Sequence, residues 1–209
     1  MSQPVPTVFV VDDEASVLKA VGRLLRAAGL NVVTFSSARD FLQHHDPDAP
    51  GCLVLDVSMP GLSGLELQRT LSALHCERPI IFLTGHGDIP MTVQAMKQGA
   101  IDFLTKPVDE GILLEAVRSA IEKDHAVRLK RAELAELGRR LAALTPRERE
   151  VLDHVVSGRL NKQIAADLGT VEKTIKVHRA HIMEKLKVRS VAELVRLVAR
   201  AEIESAPRT

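Results

Sequence analysis

The sequence predicts an α/β domain with a five-stranded, doubly wound parallel sheet, followed by a linker helix and a small all-α domain of four helices. Three observations carry this. Up to about residue 123, short β-branched apolar runs alternate with stretches of helical periodicity, the pattern of a parallel sheet with helical crossovers. From Thr145 onward only helical periodicity remains. The charge changes along the same divisions: residues 1–123 carry 10 Lys and Arg against 15 Asp and Glu, a net −5, residues 124–144 carry +2 and residues 145–209 carry +4, although the whole 209-residue chain is +1. The expected divisions are therefore 1–123, 124–144 and 145–209.

Thr7-Val8-Phe9-Val10-Val11 is a continuous apolar run and reads as a strand buried on both faces. Val17, Leu18, Val21, Leu24, Leu25 and Ala28 recur at helical spacing, and Gly29 stops them. Asn31 to Phe35 is a second strand, and Ser37 to His44 a short helix ended by Asp46-Pro47. Cys52 to Leu55 is a third strand, and Leu65, Leu67, Leu71 and Leu74 mark a third helix. Ile80 to Leu83 is a fourth strand, and Pro90 fits the first turn of a helix ending at Gly99. Asp102-Phe103-Leu104 is a fifth strand. Ile112, Leu113, Ala116, Val117, Ala120 and Ile121 are expected to line the inward face of a fifth helix.

In such sheets chemistry sits beyond the carboxyl ends of the strands. There the sequence places Asp12, Asp13 and Glu14 after the first strand, Asp56 and Ser58 after the third, Thr84 after the fourth and Lys106 after the fifth. Clustered carboxylates repel unless a cation neutralises them. Hard oxygen ligands of this kind suit Mg²⁺. A lysine and a hydroxyl nearby can hold phosphoryl oxygens, and a carboxylate beside the metal is a plausible nucleophile. Taken singly, a strand-end Asp is more often a helix cap, and Phe103 alone reads as core. His86, two residues past Thr84, either tunes dephosphorylation or sits in solvent.

The runs Val10-Val11-Asp12-Asp13, Leu55-Asp56-Val57-Ser58-Met59-Pro60-Gly61, Leu83-Thr84-Gly85 and Phe103-Leu104-Thr105-Lys106-Pro107 resemble the receiver domain of bacterial response regulators, a CheY-like fold. The resemblance implies that Asp56 accepts a phosphoryl group from a sensor histidine kinase. It implies that Asp13, Asp56 and the backbone carbonyl of Ser58 ligate Mg²⁺, with Asp12 helping through water. Thr84 and Lys106 would contact the phosphoryl group, Phe103 would be the switch aromatic, and the Lys106-Pro107 bond is expected to be cis.

Thr145-Pro146-Arg147-Glu148 is a helix start: a Thr cap, Pro in the first turn and Glu three after the cap. Val151, Leu152, Val155 and Val156 form the apolar face of this helix. Asn161 to Leu168 is a short second helix closed by Gly169. A third runs from Val171 to Lys187 with Ile175, Ile182 and Leu186 inward. Ser190 caps a fourth with Val191, Leu194, Val195 and Val198 inward. A short helix, a glycine turn and a longer basic helix make the helix-turn-helix outline. Residues 171–189 hold Lys173, Lys176, Arg179, Lys185, Lys187 and Arg189 against Glu172 and Glu184. That is a footprint for phosphates or a solvated charged face. All five Phe lie before residue 104 and there is no Trp or Tyr. With no aromatic platform for unstacked bases, duplex DNA is favoured over RNA or single strands.

The string from Leu144 through Asn161-Lys162-Gln163-Ile164-Ala165 to Lys173-Thr174-Ile175-Lys176-Val177-His178 is similar to the LuxR-type helix-turn-helix. With the receiver-like part, the chain resembles the NarL/FixJ family of response regulators. This implies that Lys176 and Val177 reach base edges, that Lys173, Thr174, Arg179 and Lys162 meet phosphates, and that Glu148 braces the bundle. Ala180 stands where the family often has a longer polar residue. The implied protein is a transcription regulator in which phosphorylation either releases the helix-turn-helix or makes a homodimer, with RNA polymerase as a further possible partner. Its only catalysis would be slow Mg²⁺-dependent self-phosphorylation and dephosphorylation.

Between the domains, Leu134, Leu137, Leu141 and Leu144 form a heptad-like stripe, open to two readings: support for a dimer, or docking on its own chain. Two cysteines fit a reducing cytosol. No apolar run approaches the ~20 residues of a membrane span, and the N-terminus lacks a signal-peptide pattern. The protein is thus expected in the cytoplasm. Two rival classes remain. A Mg²⁺-dependent phosphohydrolase is disfavoured by Ser58, where a second acid is usual. A ligand-controlled regulator is disfavoured by the scarcity of aromatics for a signal pocket.

Overall fold

The computed structural model describes residues 5–85 and 89–205; Met1–Pro4 and His86 lie outside the described residues. The described chain divides into two compact units, Met1–Arg128 and Leu129–Thr209. The elements of the first are β1 (Thr7–Val11), α1 (Ala15–Ala27), β2 (Asn31–Phe35), α2 (Ala38–His44), β3 (Gly51–Asp56), α3 (Gly64–Ala73), β4 (Ile80–Thr84), α4 (Ile89–Lys97), β5 (Asp102–Thr105) and the start of α5 (Glu110–Ala142). The second holds the end of α5, then α6 (Pro146–Val156), α7 (Asn161–Asp167), α8 (Glu172–Leu186) and α9 (Val191–Ser205).

The five strands are parallel in the order β2-β1-β3-β4-β5. The order reverses direction between β1 and β3, so the crevice for chemistry opens at their carboxyl ends. The alternation of side chains along each strand builds two cores. Phe9, Val11, Leu53, Leu55 and Phe82 face α2, α3 and α4. Val8, Val10, Val54, Ile81 and Leu83 face α1 and α5. Because both faces are covered, β1, β3 and β4 are buried at every position, whereas β2 at the sheet edge alternates. Phe41 of α2 is fully buried and meets Phe9 and Phe35 edge-on at 5.9 and 5.4 Å. Its truncation to Ala would cost about 3–5 kcal/mol.

Helix starts follow the local chemistry. Ser37 caps α2 by accepting from the Asp40 N–H. Ser63 and Glu66 form a reciprocal box at α3, as do Thr145 and Glu148 at α6. On α5, Leu113, Ala116, Val117 and Ala120 are buried as expected, but Ile112 is 53% exposed. The buried set already fills the 3–4 spacing of one face, and Ile112 lies about 100° around the helix from Leu113. Val191, also expected inside, is exposed in the first turn of α9, where Leu194 makes the inward contact.

The second unit closes around Leu144, Val151, Leu152, Val155, Ile164, Ile175, Ile182, Leu186 and Leu194. Of the linker stripe, Leu144 is part of this core and Leu141 packs against it. Docking on its own chain is therefore what these two leucines do. Among the described residues, no helix is long and apolar enough to cross a membrane.

Candidate functional site

Parallel pairing brings the strand ends to one rim. Asp12 follows β1, Asp56 ends β3, Thr84 ends β4 and Lys106 follows β5. Asp12 and Asp56 are almost completely buried, Asp13 is exposed, and oxygens of all three carboxylates lie within 4.8 Å of one another. The Lys106 ammonium reaches over them: Nζ is 2.7 Å from Asp12 Oδ2, 3.4 Å from Asp56 Oδ1 and 3.4 Å from Glu14 Oε1. In the sequence Glu14 is only one more strand-end acid; its contact with Lys106, 92 residues away, has no local signature.

The backbone holds these groups in place. Asp12 N–H donates to Phe35 O, while Asp12 Oδ1 accepts from Glu14 N–H at 2.9 Å. Asp12 thus also braces the turn into α1, the role a strand-end Asp has by default. Lys106 N–H donates to Thr84 O at 2.7 Å, and the Lys106-Pro107 bond is cis. At Gly64, the first residue of α3, a Cβ would lie 2.2 Å from Asp56 O, so only glycine permits this approach to the end of β3. Thr84 is fully buried. Phe103 on β5 is half-buried, its ring 5.9 Å from that of Phe82. Ser58, two residues past β3, is exposed.

Burial pushes the Asp56 carboxyl above its usual range; Lys106 pulls it back, and the charge of Asp12 adds to the rise. Burial also works against the Lys106 ammonium, but its hydrogen bond to Asp12 and the charges of Asp12 and Asp56 outweigh this and hold its pKa high. One lysine faces several carboxylates, so negative charge remains. Buried Asp12 and Asp56 with exposed Asp13 form a hard-oxygen donor set that fits a small divalent cation with part of its water shell.

In the second unit, α7, the Gly169 turn and α8 form the helix-turn-helix. Arg147 Nη2 donates to Leu168 O at 2.5 Å, tying α6 to the end of α7. Buried Glu148 accepts from Thr145 N–H at 2.8 Å and from Lys185 Nζ at 2.7 Å, tying α6 to α8. These bonds hold its carboxyl down at about 2. Lys162, Lys176 and Arg179 share the wall of a 610 Å³ surface groove with Ala180. Lys173 and Val177 are exposed on α8, and Thr174 is half-buried; none of the three borders this groove. Arg179 Nη1 donates to Asn161 Oδ1 at 2.6 Å, and Lys176 lies 3.1 Å from Glu172. Asn161 as a holder of Arg179 was missed, since a polar residue at a helix start is too common to stand out.

A five-stranded 2-1-3-4-5 sheet with an acidic, lysine-crossed rim, followed by a basic helix-turn-helix, defines a response regulator. Residues 8–118 match the response regulator receiver domain, and residues 142–198 match the luxR family of bacterial regulatory proteins. The chain belongs to the two-component response regulators of the NarL/FixJ family. It is 50% identical to nodulation protein W of Bradyrhizobium diazoefficiens over 190 residues, covering 91% of this chain and 84% of that protein. It is 46% identical to the response regulator protein TodT of Pseudomonas putida over 200 residues, covering 96% and 88%. A solved structure of the response regulator StyR superposes with a TM-score of 0.89 at 51% identity, covering 94% of this chain and 99% of that one. Relatives of this kind are named as response regulators and transcriptional regulatory proteins.

Proposed function

We propose that the chain is a phosphorylation-controlled transcription regulator in which Asp56 is the phosphoacceptor for a sensor histidine kinase. Residues 1–123 are the receiver, 124–144 the linker and 145–209 the DNA-binding domain. The observation that carries the reading is the rim itself: a buried carboxylate, Asp56, beside a second, Asp12, under one lysine. Asp13, Asp56 and the Ser58 carbonyl, with Asp12, would hold Mg²⁺. When bound, that ion would neutralise part of the carboxylate charge and polarise the phosphoryl donor.

The chain's own groups do the rest. Asp56 presents a carboxylate oxygen for attack on the phosphoryl phosphorus, and the donor's leaving group departs. Lys106 pairs with the new phosphoryl oxygens, and the Thr84 hydroxyl donates to one of them. Movement of Thr84 frees the space into which Phe103 turns. The added charge biases a two-state equilibrium that governs dimerisation or domain arrangement and thereby duplex DNA binding, with RNA polymerase as a possible downstream partner. Lys176 and Val177 read base edges; Lys162, Lys173, Thr174 and Arg179 meet phosphates. The protein acts in the cytoplasm.

Intact mass after incubation with Mg²⁺ and acetyl phosphate tests this. Gain of one phosphoryl group by wild type but not by D56N supports the assignment; equal gain by both overturns it.

A further inference from the structure

Three cations of the helix-turn-helix already have partners: Lys176 with Glu172, Arg179 with Asn161 and Lys185 with Glu148. A second basic cluster differs. Lys187 and Arg189, just past the end of α8, and Arg196 and Arg200 of α9 line a surface groove of about 440 Å³ whose one acid is Glu193. Glu193 is occupied in accepting from the Arg189 N–H at 2.6 Å, and Arg200 pairs with Glu133 at 2.9 Å. Among the described residues, no carboxylate lies in ion-pair range of Lys187, Arg189 or Arg196, and all three are exposed.

Four cations against the one carboxylate of Glu193 leave the concavity net positive, and the unpaired Lys187, Arg189 and Arg196 repel one another and focus a positive potential outward. Compensation of the α8 carbonyl end accounts for Lys187 and Arg189, but that effect dies away within a turn and does not reach Arg196. The groove has only Val188 and Leu197 as apolar lining and no aromatic. It therefore lacks the apolar or aromatic centre of a protein interface. A phosphate backbone needs no such centre. From Lys176 to Lys187 along α8 is roughly 16 Å at 1.5 Å per residue. That exceeds the ≈ 12 Å width of the major groove, so a helix crossing it brings its two ends to opposite strands.

We propose that Lys187, Arg189 and Arg196 form a second phosphate-binding edge, which grips the DNA strand opposite the one met by Lys162, Lys173 and Arg179. The inference rests on the DNA-binding reading above and adds a contact to it.

The test uses the full-length chain and two labelled 30-base-pair duplexes, one of random sequence and one selected from a random pool by the wild-type protein. The variant Lys187→Gln/Arg189→Gln/Arg196→Gln is compared with Lys176→Ala, and matched melting by circular dichroism establishes folding. The triple variant should lose affinity for both duplexes by the same factor. Its slope of log affinity against log salt should flatten by about three, at roughly 0.9 per phosphate contact, and R196Q alone should flatten it by about one. Lys176→Ala should weaken the selected duplex far more than the random one. Unchanged affinity and slope in the triple variant, with wild type binding normally, overturn the proposal. So does lost reporter transcription with DNA binding intact, which would assign the groove to an acidic protein partner. If wild type binds neither duplex, the DNA-binding reading falls as well.

Discussion

Lys106 lies closer to Asp12, at 2.7 Å, than to the proposed acceptor Asp56, at 3.4 Å. The lysine is thus held more closely by Asp12 than by the proposed acceptor, which leaves Asp56 the less neutralised of the two. Removing the cation leaves two buried acids facing each other. Lys106→Ala should therefore destabilise the receiver by about 3 kcal/mol, as expected when one partner of a buried ion pair is lost. Urea unfolding of the full chain followed by circular dichroism reads this, since there is no Trp or Tyr for fluorescence. A loss below about 0.5 kcal/mol, the size of an exposed pair, contradicts the burial argument.

The raised pKa of Asp56 has a sign that can be checked. A folded-state pKa above the unfolded value gives stability that is present in acid and lost as pH rises through the folded pKa. Ionised Asp56 therefore weakens the wild-type fold at neutral pH, and D56N should melt higher. The gap should close as pH falls toward the ordinary carboxylate range. Adding Mg²⁺ should raise the melting temperature of wild type and do less for D56N, and EDTA should reverse it. A D56N variant that melts lower at pH 7 contradicts this.

Glu148 runs the other way. Its carboxyl, near 2 through Lys185 and the Thr145 backbone, gives stability that is present above about 4.5 and lost as pH falls through about 2. E148Q should destabilise the helical unit at pH 7, and the difference from wild type should vanish between about pH 4.5 and 2. Thr145→Ala, which removes the cap, should cost about 1 kcal/mol. Parallel pH curves for wild type and E148Q would show that the carboxylate is not what ties α6 to α8.

At Gly64 the added methyl of an alanine would lie 2.2 Å from Asp56 O. Gly64→Ala should cost about 1–3 kcal/mol, as overpacking does. It should also slow phosphorylation by acetyl phosphate, because the end of β3 must shift. Wild-type rate and stability would mean that α3 yields instead.

Much of this was legible in the sequence because two periodicities, two and 3.6, carry it. The buried runs of β1, β3 and β4 announce a sheet covered on both faces, and the strand-end residues Asp12, Asp56, Thr84 and Lys106 then fall on one rim. What stayed hidden depends on packing between distant elements. Ile112 satisfies helical spacing yet faces solvent because Leu113, Ala116 and Val117 fill the seat. The leucine stripe allowed two partners, and only the folded chain brings Leu144 into the core beside Val151 and Ile182. Glu14 and Asn161 are ordinary polar residues until Lys106 and Arg179 arrive beside them.

In the proposed switch, charge added at Asp56 changes duplex binding. The most direct measurement is the affinity of the full chain for its selected duplex, before and after Mg²⁺ with acetyl phosphate, for wild type beside D56N. Phosphorylation should tighten binding in wild type only. Stoichiometric phosphorylation of wild type with unchanged affinity, or the same gain in D56N, would contradict it.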